Sequence, residues 1–271
     1  MPSLSHADGL VASFADAVRS AGALALGFFR PGEKTSAAIS HKAGGSPVTE
    51  ADHLVDRFLK QRLEALLPEA GWLSEETEDS AARLTKKLIL VVDPIDGTRA
   101  FARGDSTWAI AVALVQEGRP LIGIVHAPAL GETYIAVKDG GARLNGDPIE
   151  VSRLVALNAD AKVAAPASLA QDLRQAGLTF ALQPRIPSLA MRIALVASGA
   201  LDAGFASENS HDWDIAAADL ILEEAGGRLA SLDGCAIVYN RKDTRHGVLT
   251  AAPRQLHAEV SLAARRARGF T

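Results

Sequence analysis

The sequence predicts an α+β / α/β fold: helices packed on a largely antiparallel sheet, followed by a smaller unit in which strands and helices alternate. Three observations carry this. Apolar residues recur at three- and four-residue intervals from Leu10 to Phe28, the period of a helix with one buried face. Three strand-like runs, Trp108 to Gln116, Pro120 to Ala127 and Glu132 to Val137, are separated by glycine- and proline-bearing turns in the manner of a meander. Beyond residue 155 the runs Ala161 to Ala165, Phe180 to Gln183, Ala203 to Ala206 and Gly247 to Ala251 alternate with helical patterns at Leu169 to Gly177, Pro187 to Ser198 and Asp212 to Ala225. Two domains are therefore expected, residues 1–155 with long helices and the antiparallel sheet and residues 156–271 as the α/β unit, with a site in the cleft between them.

Taken in order, Leu10, Phe14, Ala17, Val18, Ala21, Leu24, Ala25 and Phe28 form the stripe of the first helix, which Pro31-Gly32 is expected to end. A polar loop or short hairpin follows to Gly45 and carries Lys42, read as solvated. Ser46 to Asp52 opens a second helix, with Thr49 as N-cap and Asp52 as its capping-box partner. Gly71 to Thr77 reads as a short strand running into two acids, of which Glu75 should point inward and Glu76 outward.

The run Leu88-Ile89-Leu90-Val91-Val92 then delivers Asp93-Pro94-Ile95-Asp96-Gly97-Thr98. Five apolar residues fit a strand covered on both faces, and Pro94 is expected to stop its ladder at Asp93. Both acids then lie at the strand's carboxyl end, where open α/β sheets place ligands. Gly97 lets the backbone approach a ligand, and Thr98 starts a helix whose free N–H groups attract anions. Asp-Pro and Asp-Gly are also ordinary turn dipeptides. A calcium loop fails on spacing, since Pro94 would fall on a ligand position. An aspartyl-phosphate mechanism fails because Pro94 stands where the nucleophile should be.

Further on, Ser207 to Asp214 precedes an apolar helix, with Asp212 the better cap and Asp214 free to point into a cleft. His211 is a candidate substrate contact.

Composition narrows the function. With 28 basic and 32 acidic residues the net charge is −4, so no broad basic surface suits a nucleic-acid polymer or an anionic membrane. The single cysteine, Cys235, excludes an internal disulfide and a cysteine-based zinc site. Met1 to Gly9 lacks a basic leader, and the apolar run Ala21 to Phe29 is shorter than the roughly 20 residues of a span. A cytoplasmic protein without a membrane span is expected.

Glu75, Asp93, Asp96 and Asp214 abut apolar elements, and buried together without cations they would each cost several kcal/mol or protonate. An all-oxygen ligand set favours Mg²⁺ or Mn²⁺, and a shared carboxylate permits two ions about 4 Å apart. Such a site suits phosphate-ester hydrolysis.

Four segments, Ser46-Pro47-Val48-Thr49-Glu50-Ala51-Asp52, Ser74-Glu75-Glu76, Asp93 to Thr98, and Trp213-Asp214-Ile215-Ala216-Ala217 followed by Glu224-Ala225-Gly226-Gly227, resemble in order and spacing the motifs of the inositol monophosphatase superfamily. The resemblance covers nearly the whole chain. It implies a layered αβαβα sandwich, lithium-sensitive phosphomonoesterase activity dependent on two or three Mg²⁺ ions with Mn²⁺ able to substitute, and homodimers, which are common in the family. By position it implies that Glu75, Asp93 and the Ile95 carbonyl hold a first metal, that Asp93, Asp96 and Asp214 hold a second, and that Asp52 and Thr98 activate water.

For substrate, animal inositol monophosphatases carry Gly-Glu-Glu-Ser and a glutamate seven residues before the ligand aspartate, where this chain has Ser74-Glu75-Glu76-Thr77 and Ser207. Leu73-Ser74-Glu75-Glu76 and Ser188-Leu189 heading a helix look more like bacterial 3'(2'),5'-bisphosphate nucleotidases. That likeness implies a small phosphorylated substrate, adenosine 3',5'-bisphosphate, with Gly97, Thr98, Ser188, His211 and Asp214 in contact with it. Inositol 1-phosphate, histidinol phosphate or a sugar phosphate are the rival substrates. A silent phosphometabolite-binding protein is the rival class, disfavoured because binding needs no water-activating pair.

Overall fold

The computed structural model describes residues 4–42 and 44–268. Ala43, inside the loop expected to reach Gly45, lies outside the described residues. Helix α1 (Leu4–Leu26) stops short of the Pro31-Gly32 signal, in a turn closed by the Gly27 and Phe28 N–H groups on the Leu24 and Ala25 carbonyls. The expected hairpin is β1 (Ile39–His41) against β2 (Pro47–Thr49), and α2 (Glu50–Leu66) follows directly. Then come β3 (Gly71–Ser74), β4 (Leu88–Asp96), the short helix α3 (Thr98–Arg103), and the meander β5 (Ala109–Gln116), β6 (Arg119–Ala127), β7 (Glu132–Val137), β8 (Ala142–Leu144) and β9 (Asp147–Pro148). These strands form one seven-stranded sheet in the order β3 to β9, antiparallel except where β3 runs parallel to β4.

The second half runs β10 (Lys162–Ala164), α4 (Ala167–Gln175), β11 (Ala181–Leu182), α5 (Leu189–Ala197), β12 (Ala203–Ala206), β13 (Ser210–His211), α6 (Asp212–Glu224), β14 (Gly227–Ser231), β15 (Arg245–His246), β16 (Leu249–Pro253) and α7 (Arg254–Ala267). Its sheet has the order β11-β10-β12-β16-β14, parallel on one side of β12 and antiparallel on the other. Strand β14 and the small β13/β15 ladder were not foreseen, because Gly227 to Ser231 is short and partly polar.

Strand alternation sorts these elements into layers. Leu90, Val92, Ile110, Val112 and Ile124 face Phe14, Val18, Val55 and Leu59 of α1 and α2. Ile89, Val91, Ala111, Ala113 and Val125 point the other way, into a core shared with Ile193 of α5, Ile215 and Leu220 of α6, and Leu249 of the second sheet. The far side of that sheet carries Val163 and Phe205 against Leu169 and Leu173 of α4 and Leu256 and Val260 of α7. The result is the αβαβα sandwich expected. Helix α6 lies so close to β6 that a Cβ on Gly123 would sit 2.4 Å from the Ala217 carbonyl oxygen.

The window Gly9–Leu26 of α1 is long and apolar enough to cross a membrane by length and composition, which the shorter run from Ala21 did not reveal. Here its Phe14, Val18, Ala21 and Ala25 face is buried in the first core.

Candidate active site

The sheet aims its acids by register. Asp93 pairs with Ala111 and Asp96 with Ala109, three residues against two, so β4 carries one extra residue at its end. This corrects the expectation that Pro94 stops the ladder: the strand passes it through a bulge. Without the bulge a three-residue spacing would put Asp93 and Asp96 on opposite faces. With it, both share the face of Ala109 and Ala111, which is the α5/α6 side. In β3, Leu73 is on that side too, and the Glu75 N–H reaches the Val92 carbonyl at 3.3 Å. Glu75 therefore arrives beside Asp93, and Asp214 enters from the first turn of α6.

Asp93, Asp96 and Asp214 each place a carboxylate oxygen within 4.8 Å of the others. Burial, then the charges of Glu75, Asp96 and Asp214, holds the Asp93 carboxyl well above the usual range. Burial and Asp96 do the same to Asp214. Asp96 is pushed up to about 6 by burial, opposed by hydrogen bonds from Ser188 and the start of α5. Two buried acids and a half-buried one, each resisting ionisation, could together hold a cation, and hard oxygen donors fit Mg²⁺ or Mn²⁺.

Beside them, Thr98 Oγ1 lies 3.1 Å from Asp52 Oδ1 and 3.1 Å from the Ile95 carbonyl oxygen, and its single proton can serve one acceptor at a time. Asp52 is fully buried and pushed up to about 6, chiefly by that burial. Its other oxygen accepts the Thr49 N–H at 2.8 Å, completing the expected capping box of α2. One carboxylate thus holds the helix start and faces the acid cluster. Gly97, with φ of 92°, makes the turn into α3, and a side chain there would crowd the Thr107 carbonyl and the Ser188 N–H.

Other expectations are corrected. Glu76 is the buried acid, its side chain 3% exposed against 26% for Glu75, and Lys42 pairs with both. Lys42 is accordingly not a solvated loop residue: its Nζ lies 2.8 Å from Glu75 Oε1 and 2.8 Å from Glu76 Oε1. Glu75, paired with Lys42, is not among the three acids clustered within 4.8 Å. No periodic pattern in the polar loop announces Lys42.

At the start of α6 it is Asp214, not Asp212, that accepts the N-cap N–H, from His211 at 2.6 Å. Asp212 instead binds His246 Nε2 at 2.7 Å and the Asn240 N–H at 2.8 Å. The His211 ring stacks on Trp213 and pairs with the Thr244 hydroxyl, and it does not line the cavity beside Asp96 and Asp214. Ser188 is fully buried, its hydroxyl donating to Asp96 at 2.7 Å and accepting the Met191 N–H, so it acts on the site through Asp96.

Asp96 and Asp214 form part of the wall of a cavity of about 560 Å³, with Ser207, Asn209, Arg185 and Arg192 among the other residues lining it. The two arginines were not singled out in the sequence, since they lie in an irregular stretch and on a predominantly apolar helix.

Comparison with known proteins identifies the family. A sequence model described as inositol monophosphatase family matches residues 10–268. The chain is 31% identical to the 3'(2'),5'-bisphosphate nucleotidase CysQ of Aggregatibacter actinomycetemcomitans over 217 residues, covering 77% of this chain and 81% of that protein. It is 36% identical to the histidinol-phosphatase of Mycobacterium tuberculosis over 219 residues, covering 73% of this chain and 79% of that one. The solved IMPase of Thermotoga maritima superposes with a TM-score of 0.80 at 26% identity, over 97% of this chain and 98% of its own. The chain belongs to the inositol monophosphatase family and is a magnesium-dependent phosphoric monoester hydrolase.

Proposed function

We propose that this phosphatase removes the 3'-phosphate of adenosine 3',5'-bisphosphate, giving AMP and phosphate, at a site lying in the cleft between the two halves of the chain. The observation that carries the site is the convergence of Asp93, Asp96 and Asp214 within 4.8 Å. These three, the Ile95 carbonyl and, once released from Lys42, Glu75 are the residues that would hold Mg²⁺. When bound, the metal supplies a Lewis acid for the phosphoryl oxygens and a lowered pKa for the attacking water.

The chain's own residues do the rest. Asp52, ionised, takes the proton of the attacking water through or beside Thr98 Oγ1, whose hydroxyl orients that water. Its raised pKa makes it a better base than an exposed aspartate. Burial of Asp52 and Asp96 keeps bulk water from competing for their oxygens. Ser188 and the N–H of Ala190, at 2.6 Å, hold Asp96 in one orientation.

The substrate reading is supported by Ser207, which stands where animal inositol monophosphatases carry a glutamate, and by the nucleotidase relative. Histidinol phosphate is the second reading, favoured by the 36% identity to the mycobacterial enzyme. Phosphate release in Mg²⁺ from adenosine 3',5'-bisphosphate, histidinol phosphate, inositol 1-phosphate and fructose 1,6-bisphosphate tests the choice. The expected order puts the nucleotide first by at least tenfold in kcat/KM. Histidinol phosphate first would replace this reading.

A further inference from the structure

The cavity beside the acid cluster is lined by one positive group with nothing in the fold to hold. Arg185 is exposed and makes no hydrogen bond or ion pair among the described residues. Arg192, lining the same cavity, is engaged: it donates to the Phe205 carbonyl at 2.6 Å and to the Ile186 carbonyl at 2.7 Å. Those bonds tie the segment carrying Arg185 to β12, so the backbone beneath Arg185 is held in place. The two guanidinium groups are near enough that the charge of Arg185, after burial, contributes to holding Arg192 below its ordinary value.

The distance to the acids is bounded by the chain. Ser188 donates to Asp96 at 2.7 Å, and the three residues from Arg185 to Ser188 span at most about 11 Å when extended. Pockets that enclose a whole small ligand run to about 300–1,000 Å³, and this one, at about 560 Å³, has room for more than a phosphoryl group. Of the acids around it, Glu208 is exposed and also lines a neighbouring cavity with Leu232 and Val248.

We propose that Arg185 holds a second anionic group of the substrate while the phosphoryl group to be cleaved lies at Asp93, Asp96 and Asp214, an inference that rests on the bisphosphate reading above. Arginine's planar fork matches a phosphate in two parallel hydrogen bonds, and one ribose carrying phosphates on its 3' and 5' oxygens bridges the two positions. Arg185 is then the residue that separates bisphosphate from monophosphate substrates.

The test compares kcat/KM for adenosine 3',5'-bisphosphate and adenosine 3'-monophosphate in the wild type, Arg185→Ala and Arg185→Lys, all in saturating Mg²⁺. The ratio is taken within one preparation, so a variant that folds only in part still reports it. The wild type is expected to favour the bisphosphate at least tenfold. Arg185→Ala should lower that ratio about 10- to 100-fold, through KM rather than kcat, as expected for one charge-assisted contact. Arg185→Lys should fall between. A wild-type preference that survives Arg185→Ala overturns the assignment to Arg185 and leaves the bisphosphate reading standing. Equal kcat/KM for the two nucleotides in the wild type overturns both.

Discussion

Thr98 Oγ1 stands 3.1 Å from Asp52 Oδ1, joining the start of α3 to the start of α2 across 46 residues of sequence. Because Asp52 also closes the capping box of α2, its chemistry and its structural role can be separated by measurement. Asp52→Asn keeps an acceptor for the Thr49 N–H but removes the base, so turnover should fall about 10²- to 10⁴-fold. Any stability loss should stay near the ~1 kcal/mol of a cap. In the wild type kcat/KM should rise with pH through a midpoint at or below about 6, since Asp52 must be ionised and bound cations favour that form. Measured in saturating Mg²⁺, so that protonation of the metal-site acids does not add to it, survival of this acidic limb in Asp52→Asn would show that another group is the base. Thr98→Ser should retain most activity and Thr98→Ala little.

Asp96 and Ser188 form the second pair to probe. Asp96→Asn should abolish nearly all turnover and the stabilisation by Mg²⁺. Ser188→Ala leaves the carboxylate in place with one fewer partner, and should raise the Mg²⁺ concentration for half-maximal rate about 3- to 10-fold with a smaller change in kcat. Metal titration of initial rates distinguishes the two. An unchanged Mg²⁺ requirement in Ser188→Ala would mean that Asp96 is oriented by the backbone alone.

Acidity and metal should be linked. The folded pKa values of Asp93, Asp96 and Asp214 are raised, so above the ordinary carboxylate value the folded chain holds more protons than the unfolded one. Stability from these groups is fully present below the unfolded pKa of 3.8 and is lost as pH rises through their folded values, which for Asp96 is about 6. For Asp96 alone the difference corresponds to about 3 kcal/mol by the 1.36 kcal/mol per pKa unit relation. Mg²⁺ should therefore raise the melting temperature of EDTA-treated protein at pH 7.5 by on the order of 5–10 °C, and clearly less at pH 5. Scanning calorimetry at both pH values checks this. An equal shift at the two would place the ion away from these acids.

Helix α6 brings Asp214 to the site through its close seat on β6. Gly123→Ala puts a methyl 2.4 Å from the Ala217 carbonyl oxygen, where no flexible side chain can yield. Destabilisation of about 1–3 kcal/mol is expected, together with weaker Mg²⁺ binding as α6 shifts. Gly44→Ala, with nothing within 4 Å, serves as the control. Thermal melts with and without Mg²⁺ report both effects. A destabilised Gly123→Ala that binds Mg²⁺ normally would show that Asp214 does not depend on this contact.

What the sequence determined by itself is local. The capping box at Thr49 and Asp52 and the apolar run before Asp93 are each written within a few residues, because capping and strand alternation are short-range rules. The turn at Gly97 is local in the same way. So too is the all-oxygen character of the acid set, a matter of residue type alone. The tertiary structure decided which acids meet. A bulge at Pro94 turned Asp96 onto the face of Asp93, the parallel pairing of β3 set Glu75 beside them, and α6 docking on β6 supplied Asp214. It also decided that Lys42 pairs with Glu76 and that Arg185 and Arg192 line one cavity, contacts that span loops with no periodic signal. Register, bulge position and helix docking are set by packing between residues far apart in the chain, and no window of sequence contains both partners.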